Sequence, residues 1–339
     1  MRILVLGGTR FIGLAAVTEL AAAGHAVAVF HRGKTNAELP VGVMQILGDR
    51  HDLQFHREQL LGFGPDVVID MLAMTEADIR GVIELFRGHA SRLVVISSCD
   101  VYRAYGVLIG KEDGYLQPTP LAEDAELRPQ LYPFREGQPR AADDPRAWLD
   151  DYDKILVERA ALSEPELPAV VLRLPMVYGP RDGQHRLFPY LKRMDDARPA
   201  ILLSETDANR KFARGYIGNV GKAIALAAAT GAASGIYNVA DEPVLTEIEW
   251  VRAAAQAAGW GGRVVVLPDA VLPEDMRGIT VQDLDVDTQR IRGDLGFSES
   301  VSLYDALTQT VEWERRHMPE ADPAQFNYEL EDELLAGAA

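Results

Sequence analysis

The chain has a single cysteine, Cys99, which excludes an internal disulfide and leaves no cysteine cluster for zinc. Its seven histidines never fall at HxxxH or HxH spacing, so the pattern offers no metal site. No apolar run approaches the ~18 residues that a spanning helix needs. Met1 runs directly into RILVL, without the charged-then-apolar leader of a signal peptide. These absences predict a cytoplasmic protein that makes no membrane contact. Basic residues are also short: 34 Lys and Arg face 51 Asp and Glu, for a formal charge of −17. That field repels phosphate backbones and argues against a nucleic-acid partner. A G-x-S-x-G elbow is missing as well, which removes the commonest hydrolase signature.

What is present is an alternation of short apolar runs and helical spacing. Residues 2–6, 26–31, 43–47, 66–70, 92–97 and 169–174 are strand-like, and residues 11–23, 76–87 and 148–162 have helical spacing. Such alternation predicts buried parallel strands joined by right-handed crossovers, a Rossmann-type doubly wound α/β sheet. Residues 223–229 and 236–239 are expected to return to this sheet. A long proline-rich and acidic stretch, 102–147, leaves the carboxyl end of a strand and reads as a lid over the ligand crevice.

The expected organisation is a dinucleotide-binding domain of residues 1–175 plus about 213–240. A smaller C-terminal α/β substrate domain takes 176–212 and 241–318. Residues 319–339 read as an acidic, loosely attached tail.

The stretch LGGTRFIG, residues 6–13, sits between the first strand and the first helix. Gly7 and Gly8 suit a tight turn, Gly13 suits a close helix–strand contact, and a helix N-terminus follows to receive a pyrophosphate. GGTRFIG resembles the GGTGFIG of the extended short-chain dehydrogenase/reductase superfamily, the NAD(P)-dependent sugar-nucleotide epimerases and dehydratases. Further stretches match in order: Gly48-Asp49, VVISSCDVY, YDKILVE, RLPMVYGP, YNVAD and DTQRIRGDLGF…TVEW, so that the resemblance covers roughly residues 1–318. The GGTR variant also resembles an atypical branch with chloroplast stem-loop-binding-like proteins.

The resemblance implies a nicotinamide dinucleotide held by Gly7, Thr9, Arg10, Phe11, Ile12 and Gly13, with Asp49 and Arg50 flanking the adenine. It also places Met71, Leu72, Ala73, Lys154 and Pro175 along the cofactor. At the end of the second strand, where NAD-using relatives carry an acid, this chain has His31, followed by Arg32 and Lys34. No carboxylate is there to repel a 2′-phosphate, and Arg10 lies one turn into the phosphate loop, so the expected cofactor is NADP rather than NAD.

The superfamily's chemistry uses a Ser or Thr, a Tyr and a Lys. Ser98 and Lys154 stand at the matching positions, but the residue four before Lys154 is Asp150, not tyrosine. Three readings stay open. Asp150 is the acid/base beside Lys154; or Tyr152, Tyr102 or Tyr105 supplies the phenol; or the chemistry is lost and Asp150–Lys154 is a plain i,i+4 ion pair.

On a helix Tyr152 would lie about 200° around from Lys154, so it serves only if the first turn is irregular or the register differs. On the substrate side Met176 replaces a common asparagine, while Arg210, Lys211 and Arg214 are candidates to clamp an anion, with His185 and Arg186 facing the same cleft. The expectation is an NADP-preferring oxidoreductase or epimerase acting on a hydroxyl or carbonyl of a small polar metabolite, with a sugar nucleotide as one candidate. The alternative is a cofactor-binding protein that has lost hydride chemistry and is regulatory or RNA-associated. The resemblance also implies a homodimer.

Overall fold

The computed structural model describes residues 1–337 apart from Asn36, Ala142 and Ala232; the last two residues of the expected tail lie outside it. Its first half alternates β1 (Arg2–Leu6), α1 (Phe11–Ala22), β2 (Ala26–His31), β3 (Met44–Leu47), α2 (Arg57–Gly62), β4 (Val67–Asp70), α3 (Glu76–Phe86) and β5 (Arg92–Ser98). Then come α4 (Arg103–Leu108), α5 (Lys154–Leu162) and β6 (Ala169–Leu174). Ile3–Leu6, Val67–Ile69 and Leu93–Val95 are buried on both faces, which is why these strands read as unbroken apolar runs rather than alternating ones.

The second half runs β7 (Met176–Tyr178), α6 (Phe188–Asp195), β8 (Ala200–Ser204), α7 (Glu205–Asn209), β9 (Arg214–Tyr216), α8 (Ile217–Ala229) and β10 (Gly235–Asn238). It ends with α9 (Glu247–Ala258), β11 (Arg263–Leu267), α10 (Gln289–Leu295), α11 (Leu303–Arg316) and α12 (Tyr328–Gly337). The main sheet has seven strands in the order β10-β6-β5-β4-β1-β2-β3, all parallel. The expected return to this sheet is β10, paired with β6, while α8 packs on α1 and the sheet face. Strand order reverses between β1 and β4, so the crevice beyond their carboxyl ends is where a ligand of such a sheet sits. Two short parallel pairs, β11-β8 and β7-β9, form the remainder.

Three elements differ from the sequence reading. The helix expected over 148–162 begins only at Lys154: Asp153 is its N-cap and accepts a hydrogen bond from the Ile155 amide, and residues 147–150 form a separate 3₁₀ turn. A short acidic side chain competes for nearby backbone N–H groups and starts helices rather than continuing them.

The 102–147 stretch is stitched down. Arg103 donates to the carbonyls of Asp113 and Tyr115, Gln117 exchanges bonds with Gln282, and Arg128 donates to the carbonyls of Asp100 and Gln130. The tail is docked rather than loose. Glu331 is buried against the Arg193 guanidinium at 2.7 Å, the Tyr328 hydroxyl donates to Asp196, and Phe326 packs edge-on against Phe188.

Candidate active site

Gly7 and Gly8 both have positive φ, 104° and 91°, which lets the chain leave β1 and turn sharply. A Cβ on Gly13 would lie 2.7 Å from the Cα of Gly8, so only glycine lets α1 sit this close to the turn. Arg10 occupies the N-cap of α1 in extended conformation, and no side chain caps the helix. The first amides of α1, at Phe11, Ile12 and Gly13, precede the first helical bond, from Leu14 N–H to Arg10 O, and so remain available to an anion. Leu72, 39% exposed, and Met71 close the opposite wall against Gly7. This is the cradle a pyrophosphate needs, and the chain fits the dinucleotide its motifs imply.

The end of β2 is tied to this loop. The Thr35 hydroxyl donates to Thr9 at 2.7 Å, and His31 is fixed between Gln45 and the Gly33 amide. Arg10, Arg32 and Lys34 are exposed and meet no carboxylate at ion-pair distance among the described residues. Arg50 differs: its guanidinium grips Asp70 in two bonds, at 2.9 and 3.2 Å, and reaches Asp78 at 3.4 Å. It therefore braces the floor between β4 and α3. Asp49 caps the following turn by accepting from the His51 amide.

The catalytic candidates gather at the ends of β4 and β5. Lys154, 4% exposed, donates to the carbonyls of Ala73 at 2.6 Å and Ile96 at 2.9 Å. An ammonium has three donors, so one remains for a ligand. Burial lowers its pKa to about 8, against the opposing pull of Asp100 and Asp70. Ser98 accepts from the Asp100 amide at 3.2 Å, which leaves its own O–H to donate.

Tyr152 lies before α5, not on it. Its ring centre is 5.9 Å from the Lys154 ammonium, and its hydroxyl donates to Asp100 Oδ2 at 2.6 Å. Because α5 starts only at Lys154, the helical geometry that would set Tyr152 about 200° from Lys154 does not apply. Burial, and then the Asp100 charge, raise its pKa well above the ordinary phenol value. Pro175 packs over Gly215 between β6 and β7.

Asp150 does not share a face with Lys154, because no helix joins them. Its carboxylate binds the Arg140 amide at 2.7 Å and the Arg140 guanidinium. The Arg135 guanidinium adds a bond to the Asp150 carbonyl. Asp150 so anchors the segment whose Phe134 packs on the Tyr152 ring, at 5.3 Å between centres. Tyr102 is consumed in the core, donating to Asn238 at 2.6 Å beneath Arg173. Tyr105 is half-buried, and burial, with Asp100 adding to it, raises its pKa to about 12.

On the substrate side Met176 is half-buried on β7. The proposed anion clamp is matched internally: Arg214 pairs with Glu247 and stacks on Trp250, Arg210 pairs with Asp207 at 2.6 Å, and Lys211 reaches Asp285 at 3.5 Å. Likewise His185 meets buried Glu314 at 2.8 Å and Arg186 meets Asp182 at 2.6 Å. Their carboxylate partners lie up to 129 positions away in sequence, which spacing alone does not connect. Sequence reasoning passed over Asp100, although it sits inside the quoted SSCDVY; its signal was an acid among apolar residues at a strand end.

A model of the NAD dependent epimerase/dehydratase family matches residues 141–240. The chloroplast stem-loop binding protein of 41 kDa b of Arabidopsis thaliana is 29% identical over 130 residues, 34% of either chain. The 2′-dehydrokanamycin reductase of Streptomyces kanamyceticus is 29% identical over 183 residues, 52% of this chain and 43% of that protein. The chain thus spans less than half the length of these relatives.

Among solved structures, WbmG of Bordetella bronchiseptica, in complex with NAD and UDP, superposes with a TM-score of 0.67 at 17% identity. That match covers 94% of this chain and 96% of the other. The UDP-glucose 4-epimerase of Thermus thermophilus, in complex with NAD, gives 0.63 at 23% identity over 93% and 99%. At these identities the likeness is one of fold.

Proposed function

We propose that this chain, a member of the NAD dependent epimerase/dehydratase family by its fold and by residues 141–240, is a nicotinamide-dinucleotide-dependent oxidoreductase or epimerase. Its substrate in this reading is a hydroxyl or carbonyl group of a small polar metabolite, with a sugar nucleotide as the class its relatives suggest. The observation that carries the reading is the meeting, along one edge of the sheet, of the uncapped N-terminus of α1 and the buried Lys154 ammonium. The amides of Phe11, Ile12 and Gly13 would hold the pyrophosphate, and Lys154 would hold a ribose hydroxyl with its remaining donor. When bound, the nicotinamide supplies or accepts a hydride. Ser98 orients the substrate oxygen through its free O–H, and Tyr152 exchanges the proton at that oxygen. The cover that packs Phe134 and Trp148 on Tyr152 excludes water from this corner.

Arg10, Arg32 and Lys34 favour NADP over NAD in this reading, because they are cations without carboxylate partners beside the ribose position. Fluorescence titration of the cofactor-stripped protein with NADPH and NADH tests it, with wild type and Arg32→Ala in parallel. The expected result is tighter NADPH binding that weakens about tenfold or more in the variant, the loss of one charge-assisted hydrogen bond. Equal affinity for both dinucleotides would remove the NADP preference, and binding of neither would remove the enzyme reading.

A further inference from the structure

Asp100 is buried, 7% exposed, directly beneath the candidate site. Its Oδ2 accepts the Tyr152 hydroxyl at 2.6 Å, and its amide donates to Ser98. Its Oδ1 is buried and has no hydrogen-bond partner among the described residues. Buried Glu314 and Glu331 also leave one oxygen unmet, but each gives its other oxygen to a cationic partner, whereas Asp100 gives its other oxygen to the hydroxyl of the candidate acid/base. The other ionisable groups around it are the buried Cys99 thiol beside it in the chain, Tyr105 and Arg128 of the cover, and Asp153 and Lys154 at the start of α5. Burial raises the Asp100 pKa, and that of Tyr152 as well, so neither side chain readily stands alone as an anion. A tyrosine so placed is a poor base unless it can pass its own proton onward.

We propose that Asp100 is the positioning and proton-accepting residue behind Tyr152, linked to it by the short Oη–Oδ2 hydrogen bond. This rests on the oxidoreductase reading above. In the oxidation direction the substrate O–H breaks and its proton bonds to Tyr152 Oη. The original phenolic O–H breaks in turn, and that proton bonds to Asp100 Oδ2. The carbinol C–H bond breaks with its hydrogen leaving as hydride, both bonding electrons included, to a bound nicotinamide dinucleotide, and the electron pair of the former O–H bond forms the second C–O bond. The carbon is oxidised to a carbonyl, the dinucleotide is reduced, and Asp100 ends neutral. Tyr152 stays uncharged throughout, and reduction runs the same transfers backward.

The test has two arms. The first is ultraviolet titration of tyrosinate in cofactor-free wild type, Asp100→Asn, Asp100→Glu and Tyr152→Phe, the last identifying which tyrosine is Tyr152. Removing the carboxylate should make Tyr152 at least tenfold more acidic in Asp100→Asn, and Asp100→Glu should restore the wild-type titration. The second arm is the pH profile of single-turnover dinucleotide reduction, with UDP-glucose as probe. Wild type and Asp100→Glu should lose rate as the carboxyl protonates, and Asp100→Asn should lose that limb altogether.

An unmoved Tyr152 titration in folded Asp100→Asn, or a persisting acid limb, overturns the proposal. If Asp100→Asn fails to fold, the infrared carboxyl band decides in wild type. A carboxyl that titrates above the ordinary aspartate range and shifts in Tyr152→Phe supports the relay, and its absence overturns it. A probe that reduces no dinucleotide counts against the oxidoreductase reading, while the tyrosinate arm still decides whether Asp100 governs the Tyr152 proton.

Discussion

Between Asp150 and Tyr152 the chain turns out of a 3₁₀ segment, and that turn decides which side chain reaches Asp100. Asp150 points into the cover, where its two oxygens hold the Arg140 backbone and guanidinium. Replacing it with alanine strands the Arg140 amide and takes one carboxylate from its guanidinium, which keeps Glu136 and the Phe134 carbonyl. The expected cost is about 1–3 kcal/mol, read as a lower denaturation midpoint. Dinucleotide affinity should be unchanged, because Lys154 is held by Ala73 and Ile96 and not by Asp150. For the same reason Asp150→Tyr should add no turnover, since the new phenol would enter the cover instead of the site. A gain in turnover would show that the register before α5 can shift to the helical one.

Elements are legible in the sequence where local pattern and tertiary context agree. The apolar runs of β1, β4, β5 and β6 announce parallel strands, and the glycines of the β1–α1 turn announce the cradle. Arg50 and the start of α5 are not legible, since the first depends on Asp70 across the sheet and the second on the capping of Asp153 outweighing helical spacing. Pairs such as Arg214–Glu247 and His185–Glu314 are equally hidden, being made by contacts between distant segments.

The β1–α1 turn, legible from its glycines, also carries a quantitative expectation. Gly13→Ala puts a methyl 2.7 Å from backbone that cannot yield, so α1 must move off β1. Overpacking of this kind costs about 1–3 kcal/mol. The displaced amides should also weaken dinucleotide binding more than they weaken the fold. Matched thermal melts and NADPH titrations check this. A variant that binds as wild type does would mean that the α1 amides are not the pyrophosphate site.

Taken whole, the molecule carries a charge of −17, and it buries acids whose ionisation the fold opposes. Asp241 is the clearest. It receives the Tyr216 amide at 2.7 Å and the Asn219 side chain at 3.1 Å at the start of α8, yet burial outweighs these bonds and raises its pKa to about 7. Burial raises the pKa of Asp100, Asp285 and Glu314 in the same direction.

An acid whose folded pKa is raised binds its proton more tightly when native, so its contribution is full below the unfolded value of 3.8 and is lost as pH rises through about 7. Between those limits the Asp241 contribution falls with rising pH, against the rising contribution of acids held below their ordinary range, such as Asp196 and Glu299. Asp241 alone accounts for up to about 4 kcal/mol, since each tenfold gain in proton affinity is worth ~1.4 kcal/mol. Asp241→Asn removes the titration but also sets an amide against the Asn219 amide, so its stability at any one pH will differ for that reason too. The slope is the informative quantity. Denaturant unfolding of both proteins across this window should show a slope displaced toward rising stability in the variant; groups remote from Asp241, such as His25, cancel in the comparison, while Glu299 and Arg292, which act on Asp241 electrostatically, contribute to the difference. Parallel slopes would mean that Asp241 titrates in the native protein as it does in the unfolded chain, the Tyr216 and Asn219 bonds offsetting its burial.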